Sequence, residues 1–271
     1  MITLTRKSWA FIRRDFLIES SYKVNFMSRV VESMMLLIFF YFLSALITPR
    51  GSSAIGKADY HYFPFALVGL AFARYFELTL KMFSESIRQA QVSGCLEAML
   101  SSQTGCVTIV LMSALYGLIS GAVQLFVILI AGRVLFGVDF GHLNFTSTAV
   151  VFTLSIMIFV AIGVLSASMV IWLKQGDPIT WVVGGLGSII GGAYFPIDVM
   201  PIWMQKLSLL IPISYSLDAL RLTILKGQSI FMVGRPIVTL AIIALILLPC
   251  SVALFASVIR KGRKEGTLMH Y

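Results

Sequence analysis

TAVVFTLSIMIFVAIGVLSASMVIWL, residues 148–173, holds no ionisable side chain from end to end. A helix needs about 20 apolar residues to cross the ~30 Å hydrocarbon layer of a bilayer, and this run is longer. It shows none of the polar–apolar alternation that a membrane β-barrel strand requires. Working outward from it, five more runs are long and predominantly apolar: 30–47, 62–80, 107–131, 178–195 and 237–259. Helices are the economical solution for all six, because lipid offers no partner to an unpaired backbone amide. The expected fold is an all-α integral membrane protein with six transmembrane helices.

Composition points the same way. Hydrophobic residues make up 58% of the 271 positions and charged ones 12%, with a mean hydropathy of +0.93. A soluble domain carries about a quarter charged residues, so a water-soluble enzyme is excluded. The formal net charge is nevertheless +9. With the N-terminus inside a six-span topology, 13 of the 21 basic residues fall on the cytoplasmic side and 7 on the outer side, and Arg74 lies within a span. The positive-inside rule then sets both termini in the cytoplasm of a multi-pass protein. Cys95, Cys106 and Cys250 have no metal-ligand spacing and read as small packing residues.

Residues 3–23 read as an interfacial amphipathic helix. Arg6, Lys7, Arg13 and Arg14 share one side, and Trp9, Ile12 and Phe16 face elsewhere. The pair Arg13-Arg14 resembles a twin-arginine export signal, but no apolar region follows until Val30 and no small-residue cleavage site closes it.

Catalytic chemistry is missing from the pattern. GSSAIGKA, residues 51–58, comes within one residue of a phosphate-binding loop. Ala58 offers no hydroxyl to Mg²⁺, and the stretch is a short outer loop, not a strand-to-helix junction. His61, His142 and His270 form no H-E-x-x-H pairing, so no metal site is expected. No span carries paired carboxylates for acid–base work. The chain is expected to be no enzyme and to bind no cofactor of its own, so energy for transport comes from another chain or from an ion gradient.

Three stretches carry functional information. In the second run, Arg74, Glu77, Lys81, Glu85 and Arg88 recur every three or four residues, placing charges of alternating sign on one helical stripe. A charge at membrane depth costs a few kcal/mol and normally faces protein or water. Arg74 and Glu77 therefore line a substrate path or a dimer contact, or else Arg74 snorkels to the inner surface. Phe72 and Phe76 beside them suit either an amphipathic cargo or plain packing. The segment 84–104 is the longest cytoplasmic loop, with a break at Ser93-Gly94 and an apolar side formed by Leu96, Met99 and Leu100, Glu97 facing away. A soluble partner would grip there. Segment 196–227, finally, holds two apolar pieces too short to span, punctuated by Pro196, Pro201 and Pro212, and is expected to form a re-entrant helix pair. Gly117 and Gly121 suit close helix packing, within the chain or between copies.

With these residues in view, the chain resembles the membrane-spanning subunit of type-two ATP-binding-cassette exporters, the bacterial drug, lipid and glycoconjugate permeases. The amphipathic N-terminus, Gly94-Cys95-Leu96-Glu97 and the proline-rich outer segment match in order. The most specific stretch runs from Gly192 and Phe195-Pro196 through Pro201, Pro212 and Tyr215 to Asp218 and Arg221. Cys95 stands where the family commonly has Thr. The resemblance implies that Gly94, Leu96, Glu97, Met99 and Leu100 form a coupling helix that docks on a separate ATPase subunit holding ATP and Mg²⁺. It implies that Phe195, Pro196, Pro201, Pro212, Tyr215, Asp218 and Arg221 belong to an outer gate. Two permease copies and two ATPase subunits would assemble in a bacterial inner membrane, surrounded by lipid. The alternative is an ion-coupled secondary transporter or channel using Glu77 and Arg74; a lipid-directed membrane transferase lacks the acidic cluster it would need.

Overall fold

A computed structural model describes residues 9–10, 12–13, 16–17, 23–47, 61–92, 94, 106–140, 143–173 and 177–265. Among these residues the regular structure is helical. Four long helices come first: α1 (Lys23–Ile47), α2 (Tyr62–Val92), α3 (Cys106–Phe136) and α4 (Phe145–Leu173). A π-helical stretch, Thr180–Leu186, runs into the short α5 (Gly187–Ile190). A 3₁₀ turn at Ile197–Val199 leads to α6 (Ile202–Ser208), α7 (Pro212–Ile224) and the long α8 (Gly234–Glu265).

Among the described residues, four helices are long and apolar enough to cross a membrane: Tyr62–Val92, Thr108–Phe136, Phe145–Leu173 and Gly234–Gly262. The pair Ile202–Ser208 and Pro212–Ile224 passes the same test only jointly and is bent by 87°. The first and fifth expected spans appear as shorter apolar helices, Val30–Leu46 and Thr180–Ile190.

Helix ends follow local chemistry. The second apolar run does not stop at residue 80: α2 continues to Val92, because its charges recur at helical spacing and no breaker intervenes before Ser93-Gly94. Gly94 then adopts φ +68°, which a residue with a Cβ rarely does, and donates its N–H to Gln91 O at 3.0 Å. Pro212 opens α7 at its first turn, where a missing N–H costs nothing.

Two apolar clusters fill the bundle. The larger runs from Tyr62, Phe63, Leu217, Val233 and Leu240, around the start of α2, α7 and the start of α8, inward to Phe76, Leu80 and Phe159. The other joins Phe83 and Ile87 of α2, Val110 of α3, Ile171 of α4 and Ile259 of α8. The fifth segment runs between them. At its start Asp177 meets Ser84 and Ser166, and near its end the Tyr194 carbonyl accepts a hydrogen bond from Tyr62 Oη at 3.3 Å.

Candidate functional site

The charged stripe of α2 opens onto a cavity of about 610 Å³. Arg74, Glu77, Lys81, Glu85 and Arg88 line it from α2, Glu32 from α1, and Asp177, Thr180 and Trp181 from the fifth segment. The guanidinium of Arg74 pairs with Glu32 across the helix interface and stands 3.7 Å from Glu77 one turn along its own helix. Two carboxylates around one arginine offset the cost of holding a charge at membrane depth. Glu32 sits inside the first apolar run, and sequence reading alone did not single it out; the signal was a lone acid in an otherwise lipid-compatible stretch.

Asp177 was missed as well. It precedes Pro178, the pattern of an N-cap followed by proline at the first helical position. Its Oδ1 accepts the Thr180 N–H at 3.0 Å and the Ser166 hydroxyl at 2.6 Å, and its Oδ2 accepts the Thr180 hydroxyl. Burial pushes the pKa of this carboxyl up, but hydrogen bonds from Ser166, Ser84 and Thr180 outweigh it and hold the group below its usual range. The knot ties α2, α4 and the fifth segment at one point beside the cavity.

Phe72 and Phe76 do not face this charged space. Phe76 is fully buried with its ring 4.4 Å from Phe159, and Phe72 lines a separate apolar cavity of about 290 Å³ with Phe126, Leu129 and Phe152. Gly117 abuts Met82 and Gly121 abuts Tyr75, so both glycines serve packing of α3 on α2.

At the opposite end the proline-rich segment closes on α2. Arg221 is 3% exposed and donates through Nη2 to the carbonyls of Gly192 at 2.9 Å, Ala193 at 3.0 Å and Phe65 at 3.3 Å. Its guanidinium carbon lies 3.4 Å over the Phe65 ring. Gly192, at φ +80°, makes the turn that presents those carbonyls. Gly69 permits the approach: a Cβ there would run into the Ala193 carbonyl and stand 2.5 Å from the Arg221 guanidinium. Tyr215 donates to Leu209 O at 3.0 Å and Ser214 to Ser208 O at 2.9 Å, holding the α6–α7 bend. Pro196 and Pro201 precede the 3₁₀ turn and α6, and Phe195 stacks 6.5 Å from Tyr62. Asp218 lies one turn before Arg221 on α7 and is exposed.

Of the sequence-expected coupling residues, Gly94 is described, while Leu96, Glu97, Met99 and Leu100 lie outside the described residues. So does most of the expected interfacial helix 3–23; its described positions 9–10, 12–13 and 16–17 are helical, with the Phe16 ring 6.4 Å from Tyr116 of α3. No group of three or more metal-binding side chains occurs among the described residues.

The charged cavity thus lies at one end of the apolar bundle and the proline-punctuated segment at the other. The family model described as ABC-2 type transporter matches residues 6–225. The chain belongs to the ABC-2 type transporter family. As an ABC-2 type transporter it is a membrane-embedded transport component, not a catalyst. The match takes in both the α2 cavity and the Arg221 closure. No curated protein matches the chain.

Proposed function

We propose that this chain is the permease subunit of an ATP-driven exporter, moving an amphipathic, lipid-like, drug or glycoconjugate substrate out of the inner leaflet. The observation that carries the reading is the match to the ABC-2 type transporter family over residues 6–225. Segment 94–100, with Gly94, Leu96, Glu97, Met99 and Leu100, docks on a separate ATPase subunit that holds ATP and Mg²⁺. The segment 196–227 acts as a re-entrant pair closing the outer exit, with Pro196, Pro201, Pro212, Tyr215, Asp218 and Arg221 in it. Two copies pair around the translocation path, two ATPase subunits sit below, and both termini face the cytoplasm of a bacterial inner membrane. ATP is the ligand that favours one of two states, inward-open or outward-open.

Affinity purification of the full chain from its own membranes is expected to bring down an ATP-binding-cassette ATPase, and transport by the reconstituted complex to require ATP. Glu97→Lys should cut ATP-driven transport at least about tenfold, since a like-charge clash at a docking interface costs several kcal/mol, while membrane levels stay unchanged. Unaltered transport in that variant removes the docking assignment. The ion cluster of Glu32, Arg74 and Glu77 favours a second reading, an ion-coupled transporter or channel. Transport that ignores ATP and follows an imposed ion gradient would replace the first reading with this one.

A further inference from the structure

The α2 cavity contains charges that have no ion-pair partner among the described residues. Arg74 is committed to Glu32 and Glu77. Farther along the stripe, Lys81 and Arg88 have no carboxylate within ion-pair distance among the described residues. Asp177 is held by hydroxyl and amide donors, with no cation within ion-pair distance among the described residues. Charges of both signs without an ion-pair partner among the described residues thus share one cavity of about 610 Å³. Trp181, 73% exposed, borders the same space and offers a ring face of the kind that attracts organic cations. From Arg74 to Arg88 the stripe rises about 21 Å at the helical repeat, enough to lead from water toward the bilayer interior.

A purely anionic guest would meet Asp177 and Glu85, and a purely cationic one would meet Lys81 and Arg88. A guest carrying both charges satisfies each wall. We propose that this cavity binds the zwitterionic headgroup of an amphiphile, one bearing a phosphate-like anion and an amine. Lys81 and Arg88 take the anion, Asp177 and Glu85 the amine, with the ring of Trp181 against it, and the apolar tail stays in lipid. This rests on the permease reading and names its substrate class.

The test uses the full chain in nanodiscs of phosphatidylglycerol, a lipid without an amine, with no nucleotide present. Four probes are titrated: dodecylphosphocholine, dodecyl phosphate, dodecyltrimethylammonium and chain-free phosphocholine. Dodecylphosphocholine is expected to bind at least about tenfold tighter than either singly charged amphiphile, in line with the gain from charge-assisted contacts at both ends. Lys81→Gln should weaken the two phosphate amphiphiles by about tenfold and leave dodecyltrimethylammonium unchanged, and Glu85→Gln should weaken dodecylphosphocholine and dodecyltrimethylammonium by about tenfold and leave dodecyl phosphate unchanged. Both side chains are on the cavity wall, not in the apolar core, so folded variants are expected; a melting curve matching wild type verifies this. Equal binding of the three amphiphiles, or indifference to both substitutions, overturns the proposal. Phosphocholine binding as tightly as its dodecyl form overturns the assignment to an amphiphile. ATP-dependent transport that persists while zwitterion binding fails would sink this inference alone and leave the permease reading standing.

Discussion

A guanidinium taken out of solvent needs partners for its donors, and the Nη2 of Arg221 finds three in main-chain carbonyls. Carbonyls cannot shift without moving their helices, so the contact fixes the spacing of α2, α7 and the turn at Gly192. Gly69 is the weak point of that arrangement, because the atom its missing Cβ would strike belongs to backbone, not to a flexible side chain. Gly69→Ala is therefore expected to cost about 2 kcal/mol, the usual range for overpacking, read as a lowered melting temperature in detergent. Gly234→Ala, whose added methyl would meet nothing within 4 Å, is the control and should melt as wild type. Indistinguishable melting of the two variants would refute the closure. Arg221 and Gly192 were legible in the sequence from the motif around them. Their partners Gly69 and Phe65 were not, since Arg221 and Phe65 stand 156 positions apart and no local pattern announces such a contact.

At the scale of elements, the apolar runs were legible but their ends were not. Hydrophobic runs report where lipid can lie, whereas a helix continues until its backbone is interrupted, which is why α2 extends through its charged stripe to Val92. The prolines of the outer segment did foretell the break, because they remove a donor wherever they stand; the 87° bend between Ile202–Ser208 and Pro212–Ile224 is the result. The start of the fifth segment depends on a single carboxylate. Asp177→Ala is expected to lose about 1 kcal/mol, the typical worth of an N-cap, seen as faster amide exchange at Thr180 and Trp181. The pH dependence has a definite sign. The Asp177 carboxyl is held below its ordinary range, so its stabilisation is complete at neutral pH and fades as pH falls through that lowered value. The gap in amide exchange between wild type and Asp177→Ala should thus close toward acid pH. A gap that widens on acidification would contradict the hydroxyl-bound carboxylate.

For the whole molecule, the second apolar cluster gathers the end of α2, the start of α3 and the ends of α4 and α8 at one pole. Lys81, Arg88, Arg260, Lys261 and Lys264 lie toward that pole, whereas Phe231 and Arg235 lie toward the other, beside the first cluster's Val233. Flanking Lys and Arg resist translocation, so the richly basic pole is expected to be the cytoplasmic one and the Arg221 closure to face outward. Two single-cysteine proteins decide this, made after Cys95, Cys106 and Cys250 are changed to Ser. Phe231→Cys replaces a side chain that is 93% exposed, and Lys264→Cys replaces an exposed residue at the basic pole. A membrane-impermeant maleimide added to intact cells should label Phe231→Cys at once and Lys264→Cys only after the membrane is permeabilised. The opposite pattern would invert the molecule, turning the charged cavity to the outside and leaving a cytoplasmic ATPase nothing but the proline-rich end to grip.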